Sequence, residues 1–324
     1  MECMYYERID DNIVKCYLCP HNCIIKEGNV GVCRVRKNSG GRLISINYGK
    51  ITSYAYDPIE KKPLYHYYPG SNIFSIGSFG CNLSCRFCQN WEIALRDSLT
   101  VEIEDEDVLL LGKSKESIGI AYTYNEPSIS YEYVYHMSKL ARKHGLKNVL
   151  VTNGYINEEP LKNLLPYIDA MNIDLKSMDD NFYRTMCNGT LAPVQRTIEL
   201  AVKHTHVEIT TLIIDSKNSN DKEIDKLGQW IASIDRTLPL HISRYHPAYK
   251  MKLPETKYET LIRAKDIIKR HLDYIYIGNV WGIDNNTYCP NCHNELIHRY
   301  SSVEIVGLRG KRCNKCGQEI DIIY

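Results

Sequence analysis

The stretch Asn72-Ile73-Phe74-Ser75-Ile76-Gly77-Ser78-Phe79-Gly80-Cys81-Asn82-Leu83-Ser84-Cys85-Arg86-Phe87-Cys88-Gln89-Asn90 decides the fold. Residues 73–77 form a short apolar run of the length expected for a buried strand. The loop that follows carries Cys81, Cys85 and Cys88 at C-x3-C-x2-C spacing. Three thiolates on one loop can hold three irons of a 4Fe–4S cubane. No fourth ligand follows nearby, so the last iron keeps an open position, and open positions on metals carry chemistry. A structural zinc site is the competing reading of the same cysteines.

Beyond this loop the pattern of strand then helix repeats. Apolar runs at 118–122, 148–152, 170–174, 207–213, 240–244 and 274–278 read as further strands. The stretches 128–144, 194–204, 222–233 and 255–270 are amphipathic, the first ending in a basic turn and Gly145, a helix stop. Short apolar strands alternating with helices imply a parallel sheet under helices. The expected fold is α/β, a partial (β/α)6-type barrel of parallel strands. It carries an N-terminal cysteine-rich metal segment (residues 1–71) and a C-terminal zinc ribbon (285–324), the barrel itself spanning 72–284.

In such folds the functional groups sit at the C-terminal ends of strands. Here those ends carry Tyr122-Thr123-Tyr124-Asn125-Glu126-Pro127, Thr152-Asn153-Gly154, Asp174-Leu175-Lys176, Arg244-Tyr245-His246-Pro247 and Asn279, and the fifth strand contains Glu208, Thr210 and Thr211. Each alone has an ordinary reading. Glu126 can cap a helix, Asp174 can pair with Lys176, and His246 can be a loop residue. The recurrence along most strands is what points to a site.

Two further cysteine groups flank the barrel. Cys16, Cys19, Cys23 and Cys33, with Pro20, Gly28 and Gly31 supplying turns, could close around zinc or hold a second iron–sulfur cluster. A segment this short and polar would gain much of its folding energy from metal. His21 beside them reads as a surface residue. Cys289, Cys292, Cys313 and Cys316 form two C-x2-C knuckles around a strand-like spacer, the pattern of a zinc ribbon. Between the N-terminal group and the barrel, alternation around 43–46 and 51–54 suggests a β-hairpin turning at 47–49. Asp57-Pro58-Ile59-Glu60-Lys61-Lys62-Pro63 reads as a loop whose paired lysines are a solvated charge run or meet an acidic substrate.

Eleven of 13 cysteines fall into these three groups, leaving Cys3 and Cys187 apart. With no export signal or membrane-length apolar run, this grouping implies metal in a reducing, cytoplasmic setting rather than disulfides. Lys and Arg total 40 against 39 acids, a net charge of +1. That balance argues against a nucleic-acid or membrane partner, both of which favour basic faces.

In their order along the chain, these features resemble the AmmeMemoRadiSam system radical SAM enzymes. Those are relatives of the activating enzymes of glycyl-radical proteins such as pyruvate formate-lyase activase. The resemblance rests on Cys16-x-x-Cys19-Pro20-His21, Pro58-Ile59-Glu60-Lys61-Lys62-Pro63-Leu64, Cys81-Asn82-Leu83-Ser84-Cys85, Tyr122 to Pro127, Asp174-Leu175-Lys176 and the terminal ribbon. It implies a 4Fe–4S cluster on Cys81, Cys85 and Cys88 that cleaves S-adenosylmethionine (SAM) to methionine and a 5′-deoxyadenosyl radical. An electron donor of flavodoxin or ferredoxin type would feed it. The radical would take hydrogen from an unidentified substrate, a protein by kinship, in an oxidoreductase or activase-like reaction.

The resemblance also assigns roles around SAM. Phe87 meets adenine, Glu126 the amino group, Lys176 beside Asp174 the carboxylate, and Tyr245-His246 the ribose. Asn125, Thr152, Asn153 and Glu208 complete the candidate SAM-binding set. Two departures stand out. Activases have Gly-Gly before Glu-Pro, where this chain has Tyr124-Asn125. They also often carry Asp where Val151 precedes Thr152, so a cation site built on that acid is missing. The N-terminal segment and the ribbon would flank the barrel mouth or receive a partner, and a second cluster would allow electron relay. The alternatives are a zinc-binding interaction module with an inactive barrel, or a radical RNA-modifying enzyme suggested by the ribbon.

Overall fold

A computed structural model describes residues 1–96, 98–114 and 117–324 of the chain. At its centre is an eight-stranded sheet whose strands neighbour one another in chain order. They are β1 (Ser53–Pro58), β2 (Asn72–Gly77), β3 (Ser117–Tyr122), β4 (Lys147–Thr152), β5 (Ala170–Asp174), β6 (His206–Ile213), β7 (Leu240–Arg244) and β8 (Ile275–Gly278). From β2 to β8 every pairing is parallel. The longer helices of the crossovers are α1 (Asp105–Gly112), α2 (Tyr131–Lys143), α3 (Glu158–Leu164), α4 (Leu191–Ala201), α5 (Asp221–Ile234) and α6 (Tyr258–Ile268). The sheet is the expected partial barrel of parallel strands.

Local chemistry explains why the elements stop where they do. At the end of α2, Gly145 takes φ 76°, and the amides of Gly145 and Leu146 bond back to the carbonyls of Arg142 and Ala141. This is a Schellman cap, which a side chain at the left-handed position would disfavour. In α2, Val134, Met137 and Ala141 recur at helical spacing and are buried, burying one face of the helix. Between β3 and β4 the backbones approach so closely that a Cβ at Gly119 would lie 2.0 Å from the Lys147 carbonyl oxygen.

Two expectations need correction. The hairpin lies earlier than the alternation suggested, pairing Arg36–Ser39 with Arg42–Ser45. Ser53–Pro58 instead runs antiparallel along β2, so the barrel sheet starts before residue 72. The lysine-bearing loop is also not a solvated surface. Ile59, Leu64 and Tyr67 pack against Ile73, Ala121, Val149 and Ala170 of the sheet, and all of them are buried. The loop plugs the floor of the barrel, the end opposite the strands' C-termini. Lys61 stays exposed, but Lys62 is only 3% exposed and bonds Asp57 at 2.7 Å.

The ribbon covers this floor and does not flank the mouth. Arg299 donates to the Tyr65 carbonyl, the Ile323 amide donates to the His66 carbonyl, and Tyr276 on β8 bonds the Thr287 hydroxyl. The N-terminal segment, a three-stranded antiparallel sheet followed by the hairpin, sits by the cysteine loop. His21, expected at the surface, is partly buried and its Nε2 lies 2.7 Å from the Asn82 carbonyl. A buried Arg36–Glu132 ion pair ties the segment to α2. Among the described residues no helix is long and apolar enough to cross a membrane.

Candidate active site

The C-terminal ends of the strands surround a cavity of about 490 Å³, within the size range of small-molecule sites. Cys81, Cys85 and Cys88 line it together with Phe87, Asn125, Glu126, Thr152, Asn153, Asp174 and Lys176. Ten candidates scattered over almost a hundred residues of sequence therefore share one space, because β2, β3, β4 and β5 are consecutive neighbours that end at the same level.

Glu126 is held at the end of β3 by neutral donors. The Ser128 amide and the Thr152 hydroxyl donate to Oε1 (2.9 and 2.7 Å), and the Asn153 amide donates to Oε2 (2.7 Å). Burial pushes its carboxyl above the ordinary glutamate range, opposed by these bonds. It caps the turn Pro127–Ser130 and faces the cavity at once, so the helix-cap reading and the functional reading both hold. A carboxylate offers about four acceptor sites; with three used here, one remains for a cation such as a ligand ammonium.

Lys176 donates to Asp174 at 2.8 Å. Burial acts to lower its ammonium's pKa, but Asp174 and the sulfurs of Cys85 and Cys187 outweigh it and hold it charged, above the ordinary range. Asn153 fixes the loop from the other side, donating to the Asn82 side chain (2.9 Å) and lying 3.6 Å from Cys81 Sγ. Asn125 is spent on the loop as well, accepting from the Ser78 amide and donating to the Gly80 carbonyl.

Where activases have glycine, Tyr124 adopts φ 68°. The left-handed conformation is kept without the glycine, at a cost of order 1–3 kcal/mol for such a residue. Tyr124 is held there by its hydroxyl on Asp57 (2.6 Å), by Asn90 on its carbonyl (2.7 Å), and by the Lys62 ammonium 4.7 Å from its ring. Asp57, Lys62 and Tyr124 line the same cavity. Sequence reasoning missed this group because the Pro-Ile-Glu-Lys-Lys-Pro segment looks like a polar surface loop. The apolar residues Ile59, Leu64 and Tyr67 spaced through and after it were the available signal. Cys187, set apart in the sequence, is also drawn in: its carbonyl accepts from the Ser84 amide, and its thiol bonds Cys85, holding that cysteine's pKa below the ordinary range.

Two candidates lie elsewhere. Glu208 is fully buried on the floor, where His206, His241 and the amides of Tyr65 and His66 surround its carboxylate. It is the third residue of an eight-residue strand, too far from the strand's end to reach the mouth. His246 is partly exposed and pairs with Glu255 at 3.0 Å, while its neighbour Tyr245 is buried with its hydroxyl on the Met251 carbonyl. Neither His246 nor Tyr245 lines the cavity. Val151 does line it, and it brings no carboxylate there.

The comparisons with known proteins bear on this geometry. Residues 75–231 match the family described as the Radical SAM superfamily. An uncharacterized protein of Methanocaldococcus jannaschii is 45% identical over 99% of both chains. The chain belongs to the radical SAM superfamily. This radical SAM enzyme is also similar to the pyruvate formate-lyase 1-activating enzyme of Escherichia coli, at 23% identity over 59% of this chain and 86% of that one. A radical SAM methyltransferase from Sphaerobacter thermophilus shares the fold, with a TM-score of 0.50 at 16% identity over 69% of this chain and 70% of that one.

The superfamily implies a 4Fe–4S cluster and SAM, and the residues of this radical SAM barrel fit both. Three thiols face one cavity, the Leu83 amide donates to Cys81 Sγ at 3.3 Å, and the cavity wall offers a free acceptor on Glu126 and a charged donor on Lys176. Amide donors to ligating sulfurs are among the features that tune such clusters.

Proposed function

We propose that the chain is an activase-like oxidoreductase of the AmmeMemoRadiSam type, acting on a protein substrate. The observation that carries this reading is one cavity wall that joins Cys81, Cys85 and Cys88 to Glu126 and Lys176. Cys81, Cys85 and Cys88 would hold the cluster, which when bound would supply the electron for reductive cleavage of SAM and so the radical chemistry at substrate. The protein's own residues bind and orient. Glu126 receives the SAM ammonium on its remaining acceptor site, and Lys176 meets the SAM carboxylate while Asp174 holds it in place. Phe87, within the cysteine loop, meets the adenine, and Asn153 fixes the loop from the end of β4. Asp57, Lys62 and Tyr124 form the polar part of the lining that remains for substrate, and the plugged floor keeps water out from below. A flavodoxin- or ferredoxin-type protein serves as electron donor, and Cys289, Cys292, Cys313 and Cys316 hold structural zinc. The neighbourhood of glycyl-radical activating enzymes supports a protein substrate.

The test is anaerobic purification, reconstitution with iron and sulfide, and quantification of 5′-deoxyadenosine after adding dithionite and SAM. Product is expected from the wild type and none from Cys85→Ala, which also loses the barrel iron and keeps the ribbon's zinc. A wild-type preparation with a full cluster and no product, with or without candidate protein substrates, would favour an inactive barrel.

A further inference from the structure

We infer that Cys16, Cys19, Cys23 and Cys33 hold a second, polynuclear iron–sulfur cluster rather than a zinc ion. The chain contains its own internal standard for zinc. In the ribbon, all four sulfurs lie within 4.8 Å of one another, with Cys289–Cys316 at 3.5 Å and Cys292–Cys313 at 3.7 Å. Tetrahedral zinc with bonds of about 2.3 Å places its sulfurs about 3.8 Å apart, so the ribbon is drawn to the size of one ion.

Among the described residues no other three metal-ligating side chains converge that tightly. Yet Cys16, Cys19, Cys23 and Cys33 all line one small cavity, closed by Leu18, Ile25, Ile129 and Arg36. Four thiols that share a cavity without converging on a point suit a cubane, whose irons sit at separate corners and take their thiolates from around it. The barrel cysteines likewise do not converge within that limit.

Two further observations agree. The spacing C-x2-C-x3-C-x9-C puts three cysteines on one turn and the fourth far off, as cluster-binding runs do, rather than pairing two knuckles as zinc sites do. Arg36 also lines the cavity, is 1% exposed, and has a buried Nε with no hydrogen-bond partner. Its terminal nitrogens are taken by Glu132 and the Met4 carbonyl. A buried N–H left unpaired is costly, and because Arg36 lines the same cavity as the four thiols, a sulfur of a group bound there would serve as its acceptor.

The experiment uses the full chain, purified without oxygen and reconstituted with iron and sulfide. The variant Cys81→Ala/Cys85→Ala/Cys88→Ala should keep about four irons and four sulfides per chain, with about one zinc, and give a paramagnetic signal on one-electron reduction. No iron together with about two zincs would overturn the inference. Should that variant fail to fold, Cys19→Ser/Cys33→Ser decides. It should lose about half of the wild-type iron and none of the zinc, whereas loss of zinc with iron unchanged would overturn the inference. The readout is metal and sulfide content, so it stands or falls separately from SAM cleavage by the barrel.

Discussion

Glu126 and Glu208 are both buried glutamates of the barrel, yet they do opposite things. Glu126 sits just past the end of its strand, is held by neutral donors, and keeps one acceptor site facing the cavity. Burial raises its pKa. Glu208 sits near its strand's start and has no side facing the cavity. Burial would raise its pKa too, but hydrogen bonds and attraction from His206 and His241 override it and hold the carboxyl well below the ordinary range. A few residues along a strand thus separate a group poised for a ligand from one that fastens a floor. Burial alone does not distinguish them; the chemistry of the partners does.

The comparison can be broken most forcefully at Glu208. Glu208→Ala leaves two histidines and two backbone amides facing a void, and should cost about 3–5 kcal/mol, as breaking buried ionic groups does. Denaturant unfolding checks this. SAM affinity per folded molecule should stay near wild type, and a loss confined to SAM affinity would return Glu208 to the site. Glu126→Gln should do the reverse. Replacing a charge-assisted bond worth about 1.5–3 kcal/mol should weaken SAM binding about 10- to 100-fold, measured anaerobically by calorimetry, with a smaller effect on stability. Lys176→Ala should weaken SAM binding about tenfold with iron unchanged, since Asp174, more than a third exposed, can turn to water. Unchanged affinity would remove its carboxylate role.

The smallest effect concerns acid. His66 lies buried between Tyr276 and the Asp321 carbonyl, and burial lowers its pKa to about 4. The unfolded chain would protonate it near pH 6.5. The unfolded state therefore binds more protons between about pH 6.5 and 4, and stability falls as the pH drops through that window. Thermal melts of wild type and His66→Gln should converge or cross there, the variant showing the shallower dependence. Parallel curves would mean that the floor does not sense acid through His66.

What the sequence disclosed follows the same divide. The parallel strands were legible because a strand buried on both faces must be a short apolar run between helices; residues 170–174 and 240–244 coincide with β5 and β7. The mouth was legible because three spaced cysteines need no tertiary information to be recognised, and strand ends fix what stands beside them. The floor was not. The alternation around 51–54 is equally that of a hairpin arm or a sheet edge, and only the pairing of Ser53–Pro58 with β2 decides. Lys62 looked solvated because the paired lysines outweighed the apolar Ile59 and Leu64 that flank them and drag Lys62 inward. Glu208 was grouped with the mouth although the expected strand, 207–213, already set it near the start of β6, the end away from the mouth.

The seating of the ribbon on the floor sets an order of events during synthesis. The plug, residues 59–68, leaves the ribosome before most of the barrel it fills, whereas its cover, Arg299 and Ile323, is translated after β8. Domains commonly fold as units while the chain emerges, but this barrel cannot seal its base until the ribbon has arrived. A nascent chain stalled between β8 and the ribbon would carry a complete cysteine loop above a floor closed by the plug alone, with the outer side of Tyr65 and His66 uncovered.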